Sequence, residues 1–133
     1  MSEHTFLVRV YYADTDALGI VYHANYLRYF EAARIEFLRA RKIALTSLLQ
    51  EYGVQFAVVT AAVQYLKPAR FDNQLCVVSR IIKMGSASIT YQQDIYLSDR
   101  GGDLLCSAEI KLVTVDQNMR PQAIPDALKK EIM

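Results

Sequence analysis

The residues best suited to chemistry lie close together near the start of the chain. Asp14, Asp16 and His23 fall within ten positions, and an amphipathic helix is predicted to begin near Asn25. A carboxylate beside the positive end of a helix dipole is a setting in which a developing oxyanion is stabilised. The stretch therefore favours acid–base or nucleophilic chemistry by a carboxylate, assisted by backbone N–H groups at the helix N-terminus.

Other catalytic arrangements find little support in the sequence. Histidine occurs only at positions 4 and 23, and there is no G-x-S-x-G motif, so a serine or cysteine nucleophile with a histidine base is disfavoured. Metal ligation by Asp14, Asp16 and His23 lacks an H-x-x-x-H spacing to support it, and we expect no metal site. The lone glycine Gly19 does not make a phosphate-cradling loop.

Each of these residues also has a structural interpretation. Asp14 and Asp16 can end a strand, because Asp-Thr-Asp is good turn chemistry, and His23 can be an ordinary loop histidine. Four basic side chains form either a solvated rim or a binding site for a phosphate-bearing ligand: Lys67, Arg70, Arg80 and Lys83. Spacing alone therefore leaves two interpretations open, a structural turn and a hydrolytic site.

Length and composition bound the remaining possibilities. The chain has 133 residues, which fits a single domain spanning residues 1–133. A net charge of +1 with 22% charged residues argues against nucleic acid as a partner. The first residues lack the apolar core of a signal peptide, and no apolar run is long enough to span a bilayer, so a cytoplasmic location is expected. Cys76 and Cys106 lie in apolar strand patterns without a CxxC motif and are expected to be reduced core residues.

One long helix is predicted over Asn25 to Arg41. Its apolar residues recur at spacings of three and four and form one stripe: Tyr26, Tyr29, Phe30, Ala33, Phe37 and Ala40. Asn25 is the expected N-cap, because its side-chain oxygen can accept an unpaired backbone N–H. A short second helix is predicted over Leu45 to Glu51.

The rest of the chain has the periodicity of strands. A first strand is predicted over Phe6 to Tyr12, before the helix. Four more follow it, over Phe56 to Leu66, Leu75 to Met84, Ile89 to Leu97 and Leu104 to Val115, and a terminal helix over Pro125 to Ile132. Asp99-Arg100-Gly101-Gly102 predicts a hairpin turn. This order predicts an α+β fold, a five-stranded antiparallel sheet that wraps around one long helix.

Two of the predicted strands carry apolar residues on both faces. In Leu75 to Met84 and in Leu104 to Val115, neither face is wholly polar, although a half-solvated antiparallel sheet should have one polar face. One helix can cover only one side of the sheet. We therefore expect the chain to associate with further copies of itself.

A longer motif carries a family resemblance. The pattern Asp-x-Asp-x-x-Gly-x-Val-Tyr-His-x-Asn-Tyr is matched by eight residues of this chain: Asp14, Asp16, Gly19, Val21, Tyr22, His23, Asn25 and Tyr26. It resembles the opening of the hotdog-fold acyl-CoA thioesterases, in the branch of 4-hydroxybenzoyl-CoA thioesterase and the Tol-Pal-associated YbgC proteins. The segment from Tyr65 to Asp72 resembles the second strand and turn of the same family, so the similarity covers nearly the whole chain.

The resemblance implies a hotdog fold, a homodimer or homotetramer, and thioester hydrolysis at the dimer interface. It implies that Asp16 is the catalytic carboxylate, as a general base on water or as a nucleophile. The backbone N–H near His23 would polarise the thioester carbonyl. The His23 side chain, expected to favour its neutral form beside the helix dipole, would orient substrate or water.

The resemblance also implies the remaining substrate contacts. Three motif residues are expected near the substrate: Gly19, Tyr22 and Asn25. Three basic residues are expected to contact the phosphates of coenzyme A: Lys67, Arg70 and Lys83. No separate cofactor is expected, since coenzyme A is part of the substrate. Because the basic cluster is sparse, a thioester of acyl carrier protein is a second expected substrate. The YbgC resemblance adds peripheral association with Tol-Pal or phospholipid-synthesis proteins.

Two other functions remain open on the sequence. The first is a non-catalytic acyl-binding or scaffold protein with the same fold, associated with cell-envelope machinery; retention of Asp16, Gly19 and His23 argues against it. The second is a hotdog dehydratase or hydratase, which acts on the same thioesters by proton transfer. Those enzymes pair a histidine with an acid in a different motif context, which this sequence does not match.

Overall fold

A computed structural model describes residues 3–133. Its elements, in chain order, are β1 (Glu3–Arg9), a 3₁₀ turn (Tyr12–Asp14), α1 (Asn25–Arg39), α2 (Leu45–Tyr52), β2 (Gln55–Tyr65), β3 (Gln74–Met84), β4 (Ser88–Leu97), β5 (Leu104–Val115) and α3 (Asp126–Ile132). Within residues 3–133, no helix combines the length and the apolar character needed to cross a bilayer.

The five strands form one antiparallel sheet in the order β1-β3-β4-β5-β2. The helix α1 packs against the strands β1 and β3 on the inner face of this sheet. The predicted α+β class and the predicted sheet around one long helix are therefore confirmed. The hairpin between β4 and β5 is confirmed as well, and it requires glycine, because a Cβ on Gly102 would lie 1.8 Å from the carbonyl oxygen of Leu97.

The predicted apolar stripe of α1 forms the centre of the core. Phe30 and Ala33 have no exposed surface, and Phe37 is 1% exposed. Their partners on the inner sheet face are also fully buried, among them Leu75, Val77 and Ile95. Burying one such side chain contributes about 1.5–3 kcal/mol, so this contact holds the helix in place along its length.

Both ends of α1 differ from the prediction. The N-cap residue is Ala24, and Asn25 is the first helical residue, so the prediction of an Asn25 cap is wrong. The Asn25 side chain instead donates its amide to the carbonyl oxygen of Asp14, at 2.8 Å. The helix ends at Arg39 rather than Arg41, because Lys42 turns the chain with a positive φ of 63°.

The first strand also differs from the prediction, since it ends at Arg9 rather than Tyr12. The 3₁₀ turn of Tyr12–Asp14 takes its place, and the Asp14 carboxylate closes that turn by accepting the backbone N–H of Tyr11 at 2.9 Å. The side chain of Thr15 adds a hydrogen bond to the carbonyl of Tyr12, at 2.8 Å. Local polar side chains thus compete successfully with strand pairing at this point.

Both cysteines are free and buried, as predicted. Burial raises the pKa of Cys106 to about 12 and also raises the pKa of Cys76. Because the thiolate is the nucleophilic form of cysteine, neither thiol is suited to covalent catalysis at neutral pH.

The strand β2 forms one edge of the sheet and is largely exposed. Val58 and Val59 are each 51% exposed, and the register of β2 against β5 shifts between Val58 and Thr60. On the outer face of the sheet, the middle of β5 is more polar than the predicted two-sided apolar pattern suggests, since Glu109 and Lys111 are exposed there. The exposed apolar surface of this chain therefore includes an open strand edge, which soluble proteins usually cover or protect.

The partly buried histidine of β1 predicts a pH-dependent stability. The ring of His4 meets the edge of Phe37, and its Nδ1 is buried with no hydrogen-bond partner among residues 3–133. Burial, with a smaller effect of Arg41, lowers the pKa of His4 below 6.5. The unfolded state therefore binds more protons, and the free energy of unfolding should fall as the pH drops below about 7.

We expect His4→Phe to flatten this dependence, because phenylalanine keeps the aromatic contact and does not titrate. Denaturant unfolding between pH 7.5 and about pH 5.5 measures the effect. An unchanged pH slope in the variant would show that His4 is not responsible for it.

Candidate active site

The loop between the 3₁₀ turn and α1 folds as a small hairpin. Thr15 pairs with Val21, and the backbone N–H of Asp16 donates to the carbonyl of Ile20 at 3.0 Å. Val21 also donates to the carbonyl of Ala69, at 2.8 Å, which ties the loop to the connection between β2 and β3. The hairpin places Asp16 on one arm and the approach to α1 on the other.

Gly19 allows the hairpin to turn. Its φ of 78° lies in the left-handed region, where a side chain is strained, and its N–H donates to the carbonyl of Asp16 at 3.0 Å. Gly19 is exposed at the tip of the loop. Its contribution to the site is therefore backbone shape, and the predicted contact with substrate stays a prediction.

Asp14 is the buried acid of the pair. It is 8% exposed, and its carboxylate accepts the Tyr11 N–H and lies 3.5 Å from the guanidinium of Arg28. Its carbonyl oxygen accepts two further hydrogen bonds, from the N–H of Tyr22 at 2.9 Å and from the side chain of Asn25 at 2.8 Å. Asp14 thereby joins the 3₁₀ turn, the second arm of the hairpin and the first residue of α1.

Asp16 has a more open environment than Asp14. One carboxylate oxygen, Oδ1, accepts the backbone N–H of Leu18 at 2.8 Å. The other oxygen, Oδ2, has no hydrogen-bond donor among residues 3–133. The hydrogen bond through Oδ1 fixes the orientation of the side chain. Because the side chain is partly exposed, Oδ2 is free to contact water or a ligand.

The start of α1 presents two backbone N–H groups in a fixed direction. The carbonyl of Tyr22 accepts the N–H of Asn25 at 2.8 Å, and the carbonyl of His23 accepts the hydroxyl of Tyr65 at 2.9 Å. Because a trans peptide is planar, fixing each carbonyl also fixes the N–H on its opposite side. Those N–H groups belong to His23 and Ala24, and neither donates to an acceptor within residues 3–133.

The aromatic residues around this helix terminus are half exposed. The ring of His23 lies 4.6 Å from the ring of Tyr22, and it meets the ring of Tyr65 edge-on at 6.3 Å. Tyr22 is 45% exposed and Tyr65 is 49% exposed. Asp16, Tyr22 and His23 lie in one loop, and their catalytic and substrate-binding roles stay predictions.

The sequence did not identify Tyr65 as a residue of the site. It lies 42 positions after His23, at the end of β2, and its ring also packs edge-on against Tyr26 at 5.4 Å. Burial raises its pKa, which keeps the hydroxyl protonated as a donor. Its position beside Leu66-Lys67-Pro68, in the second segment of the family resemblance, was the available signal.

The three predicted phosphate contacts do not lie together in one chain. Lys67 and Arg70 are exposed on the connection between β2 and β3, next to the loop, and the Lys67 ammonium pairs with Asp103 at 3.3 Å. Lys83 lies near the opposite end of β3, nine residues from Gln74, which corresponds to roughly 30 Å of strand. A single chain therefore offers Arg70 beside the loop, through its pairing with Ile20, and Lys83 near the far end of β3.

The arrangement combines a partly free carboxylate with N–H groups at a helix N-terminus. Such donors stabilise negative charge on a carbonyl oxygen, and a carboxylate can activate water or attack an acyl carbon. Within residues 3–133, no three side chains of the histidine, cysteine and acidic types lie close enough together to hold a metal ion. The chemistry that this geometry supports is acyl transfer to water.

Comparison with known proteins gives the same assignment. A family model described as the thioesterase-like superfamily matches residues 10–132. The chain is 40% identical over 126 residues to the acyl-CoA thioesterase YbgC of Haemophilus influenzae, across 94% of this chain and 90% of that protein. It is also 40% identical over 125 residues to the acyl-CoA thioester hydrolase YbgC of Escherichia coli O6:H1, across 93% and 91% of the two chains.

Solved structures agree with these relatives. A probable thioesterase from Bartonella henselae superposes with a TM-score of 0.86 at 33% identity and covers 93% of this chain and 100% of its own. A mutant of 4-hydroxybenzoyl-CoA thioesterase in complex with 4-hydroxybenzoyl-CoA superposes with a TM-score of 0.88 at 20% identity, over 98% and 99% of the two chains, and shows a shared fold. The family resemblance of the loop motif is thereby confirmed. The chain belongs to the thioesterase-like superfamily, in the YbgC-like branch, and has its hotdog fold.

Proposed function

We propose that this protein hydrolyses acyl-CoA thioesters. The observation that carries the proposal is the pairing, in one loop, of a carboxylate with one free oxygen and two unpaired N–H groups at the start of α1. The names of the YbgC relatives, which are 40% identical to this chain, support the same activity. A thioester is more reactive than an amide, so these groups suffice without a catalytic triad.

The reaction follows from these groups. The thioester carbonyl oxygen accepts the N–H of His23 or Ala24, and this contact strengthens as negative charge develops on the oxygen. Asp16 then takes a proton from a water molecule that attacks the acyl carbon, or attacks that carbon itself to form an anhydride that water hydrolyses. In both routes the carbon–sulfur bond breaks, and coenzyme A leaves as a thiol after it takes up a proton.

The surroundings of the site fit a bulky thioester. Tyr22 and His23 are exposed beside the N–H groups, where the His23 side chain can orient the substrate. Lys67 and Arg70 are exposed on the connection between β2 and β3, where Arg70 pairs with Ile20 of the loop, and they are the proposed contacts for the phosphates of coenzyme A. Hydrolysis of acyl carrier protein thioesters, a cytoplasmic location and association with Tol-Pal or phospholipid-synthesis proteins stay predictions.

We further propose that the active unit is a homodimer formed along the edge strand β2. The exposed Val58 and Val59 lie on this edge, where backbone groups are available for pairing with the same strand of a second copy. Such pairing would join two sheets and bring the partner chain to the side of α1 next to β2.

Replacement of the catalytic carboxylate gives the sharpest test of the reaction. We expect Asp16→Asn to lower kcat/KM by about 10²–10⁴-fold, because the amide can neither accept a proton nor attack the acyl carbon. Thiol release from a panel of acyl-CoA substrates measures the effect, and the thermal unfolding midpoint should change little.

Asp14→Asn is the matched control for that experiment. It removes a buried charge that accepts the Tyr11 N–H and pairs with Arg28, so it should lower the unfolding midpoint and reduce activity much less than Asp16→Asn. Equal losses of activity in the two variants would contradict the assigned roles. Binding of acyl-CoA without any turnover by the wild-type protein would indicate a scaffold instead.

The hydroxyl of Tyr65 is predicted to position the helix terminus. Tyr65→Phe removes one hydrogen bond to the His23 carbonyl, and a loss of about 1 kcal/mol corresponds to about a fivefold decrease in kcat. KM should remain nearly constant, because the ring is retained. The exposed Tyr12 provides the control, since Tyr12→Phe should leave both constants unchanged; a change in KM alone for Tyr65→Phe would refute a positioning role.

The dimer is tested by adding charge to the edge of β2. Val59→Lys places an ammonium group on the proposed interface, so we expect sedimentation velocity to show dissociation to monomers, together with a large loss of kcat/KM. Leu7→Lys places the same charge on the opposite edge strand, where Leu7 is 54% exposed, and should preserve the dimer. A monomeric and fully active wild-type protein would overturn this assembly.

A further inference from the structure

A cavity of about 280 Å³ lies between α1, α2 and the inner face of the sheet. Its walls are mostly apolar and include Leu38, Leu48, Phe56 and Leu112. It lies beside the second half of α1, away from the helix N-terminus that carries the proposed chemistry. Its size and its lining are those of a site for a small, largely apolar group.

One charged side chain is buried at this cavity. Arg34 lines it and is only 8% exposed, and its guanidinium donates from Nη1 to the side-chain oxygen of Gln93 at 3.0 Å. Gln93 is neutral, and its amide nitrogen is already bonded to the carbonyl of Phe30 at 3.0 Å and to the hydroxyl of Ser79 at 2.8 Å. Within residues 3–133, no carboxylate lies within 4.0 Å of Arg34.

This arrangement leaves a buried positive charge incompletely compensated. Burial lowers the pKa of Arg34, and Tyr91 and Glu31 oppose that effect, but an arginine remains charged at neutral pH. Glu31 also lines the cavity, yet its side chain is exposed and therefore well screened by solvent. A ligand oxygen that accepts a hydrogen bond from Arg34 would compensate the charge in a site where such bonds are strong.

The cavity and the reaction centre share one helix. Arg34 follows Asn25 by nine residues, which corresponds to roughly 13 Å along the helix axis. A thioester whose carbonyl lies at the N-terminus of α1 can therefore direct an acyl chain of medium length along this helix. The exposed Leu27 lies on α1 between the two places, one turn before Glu31 of the cavity lining.

We propose that this cavity binds the far end of the acyl group, and that Arg34 selects acyl groups that carry an oxygen acceptor there. The hydrocarbon part of the acyl group fills the apolar walls, and a terminal hydroxyl or carboxylate oxygen accepts a hydrogen bond from the Arg34 guanidinium. This assignment rests on the proposed thioesterase activity and adds a substrate preference to it. It makes Arg34 a specificity-determining residue, distinct from Asp16.

Matched substrates test the preference in the wild-type protein. The series consists of octanoyl-CoA, ω-hydroxyoctanoyl-CoA and octanedioyl-CoA, with the corresponding decanoyl series to vary chain length. We expect kcat/KM to be about 10- to 100-fold higher for the best oxygen-terminated substrate than for its hydrocarbon counterpart, as for a gain of one hydrogen bond to a charged group. The hydroxyl and carboxylate arms show which oxygen the site takes, and equal values across both series would overturn the proposal.

Replacement of the guanidinium assigns the preference to one residue. Arg34→Met retains a side chain of similar length without charge, and it should abolish the preference, so that the kcat/KM values of the variant for oxygen-terminated and hydrocarbon substrates become equal. Arg34→Lys should retain part of the preference, and it provides the second variant if Arg34→Met does not fold by circular dichroism. Arg39→Met removes an exposed arginine of the same helix and should preserve the preference in full. A preference that survives Arg34→Met and Arg34→Lys undiminished would overturn the role of Arg34.

Direct binding separates this proposal from the proposed activity. Calorimetry with the Asp16→Asn variant, whose turnover is strongly reduced, measures the affinity for octanoyl-CoA and ω-hydroxyoctanoyl-CoA. We expect tighter binding of the hydroxylated thioester, and loss of that difference when Arg34→Met is added. If the wild-type protein hydrolyses no thioester but the affinity difference is present, the reaction is wrong and the cavity assignment stands. If hydrolysis occurs without any difference in affinity or rate, the cavity assignment is wrong and the reaction stands.

Discussion

The hydrogen bonds of Asp14 hold together the three segments from which the site is built. Its carboxylate closes the turn after β1, and its carbonyl oxygen accepts the N–H of Tyr22 and the side-chain amide of Asn25. One residue thus bonds to the 3₁₀ turn, to the second arm of the loop and to the first residue of α1, and so couples the position of the loop to that of the helix terminus. The position of Asp16 relative to the helix N–H groups depends on this junction, although Asp14 itself takes no part in the proposed chemistry.

The fold keeps that junction in place by burying α1 along the inner face of the sheet. Aromatic residues of the helix meet the apolar faces of β3 and β4. Tyr26 also helps to fix the loop, because its hydroxyl accepts the N–H of Ala69 at 3.1 Å. Ala69 in turn accepts the N–H of Val21. The fold therefore fixes the positions of the helix dipole and of the free N–H groups before a substrate binds. Such preorganisation is the condition for electrostatic stabilisation of an oxyanion.

Local sequence patterns predicted the helices, the strands and the motif loop. They did not predict the hydrogen bonds between residues that are far apart in the sequence. The stripe of Tyr26, Phe30 and Phe37 follows from helical periodicity, and it is buried as predicted. Asn25 was assigned as a cap from its neighbours, whereas its partner is a carbonyl eleven residues earlier that only the folded hairpin brings near. Tyr65 and Arg34 were missed for the same reason, because their hydrogen bonds cross 42 and 59 positions of sequence.

A crystal structure of the Asp16→Asn variant with an uncleaved acyl-CoA tests the central claim most directly. The account predicts that the thioester carbonyl oxygen lies within hydrogen-bond distance, about 2.7–3.1 Å, of the N–H of His23 or Ala24. It also predicts that the side chain at position 16 faces the acyl carbon. A thioester bound with its carbonyl remote from the start of α1, or with position 16 turned away from it, would contradict the account.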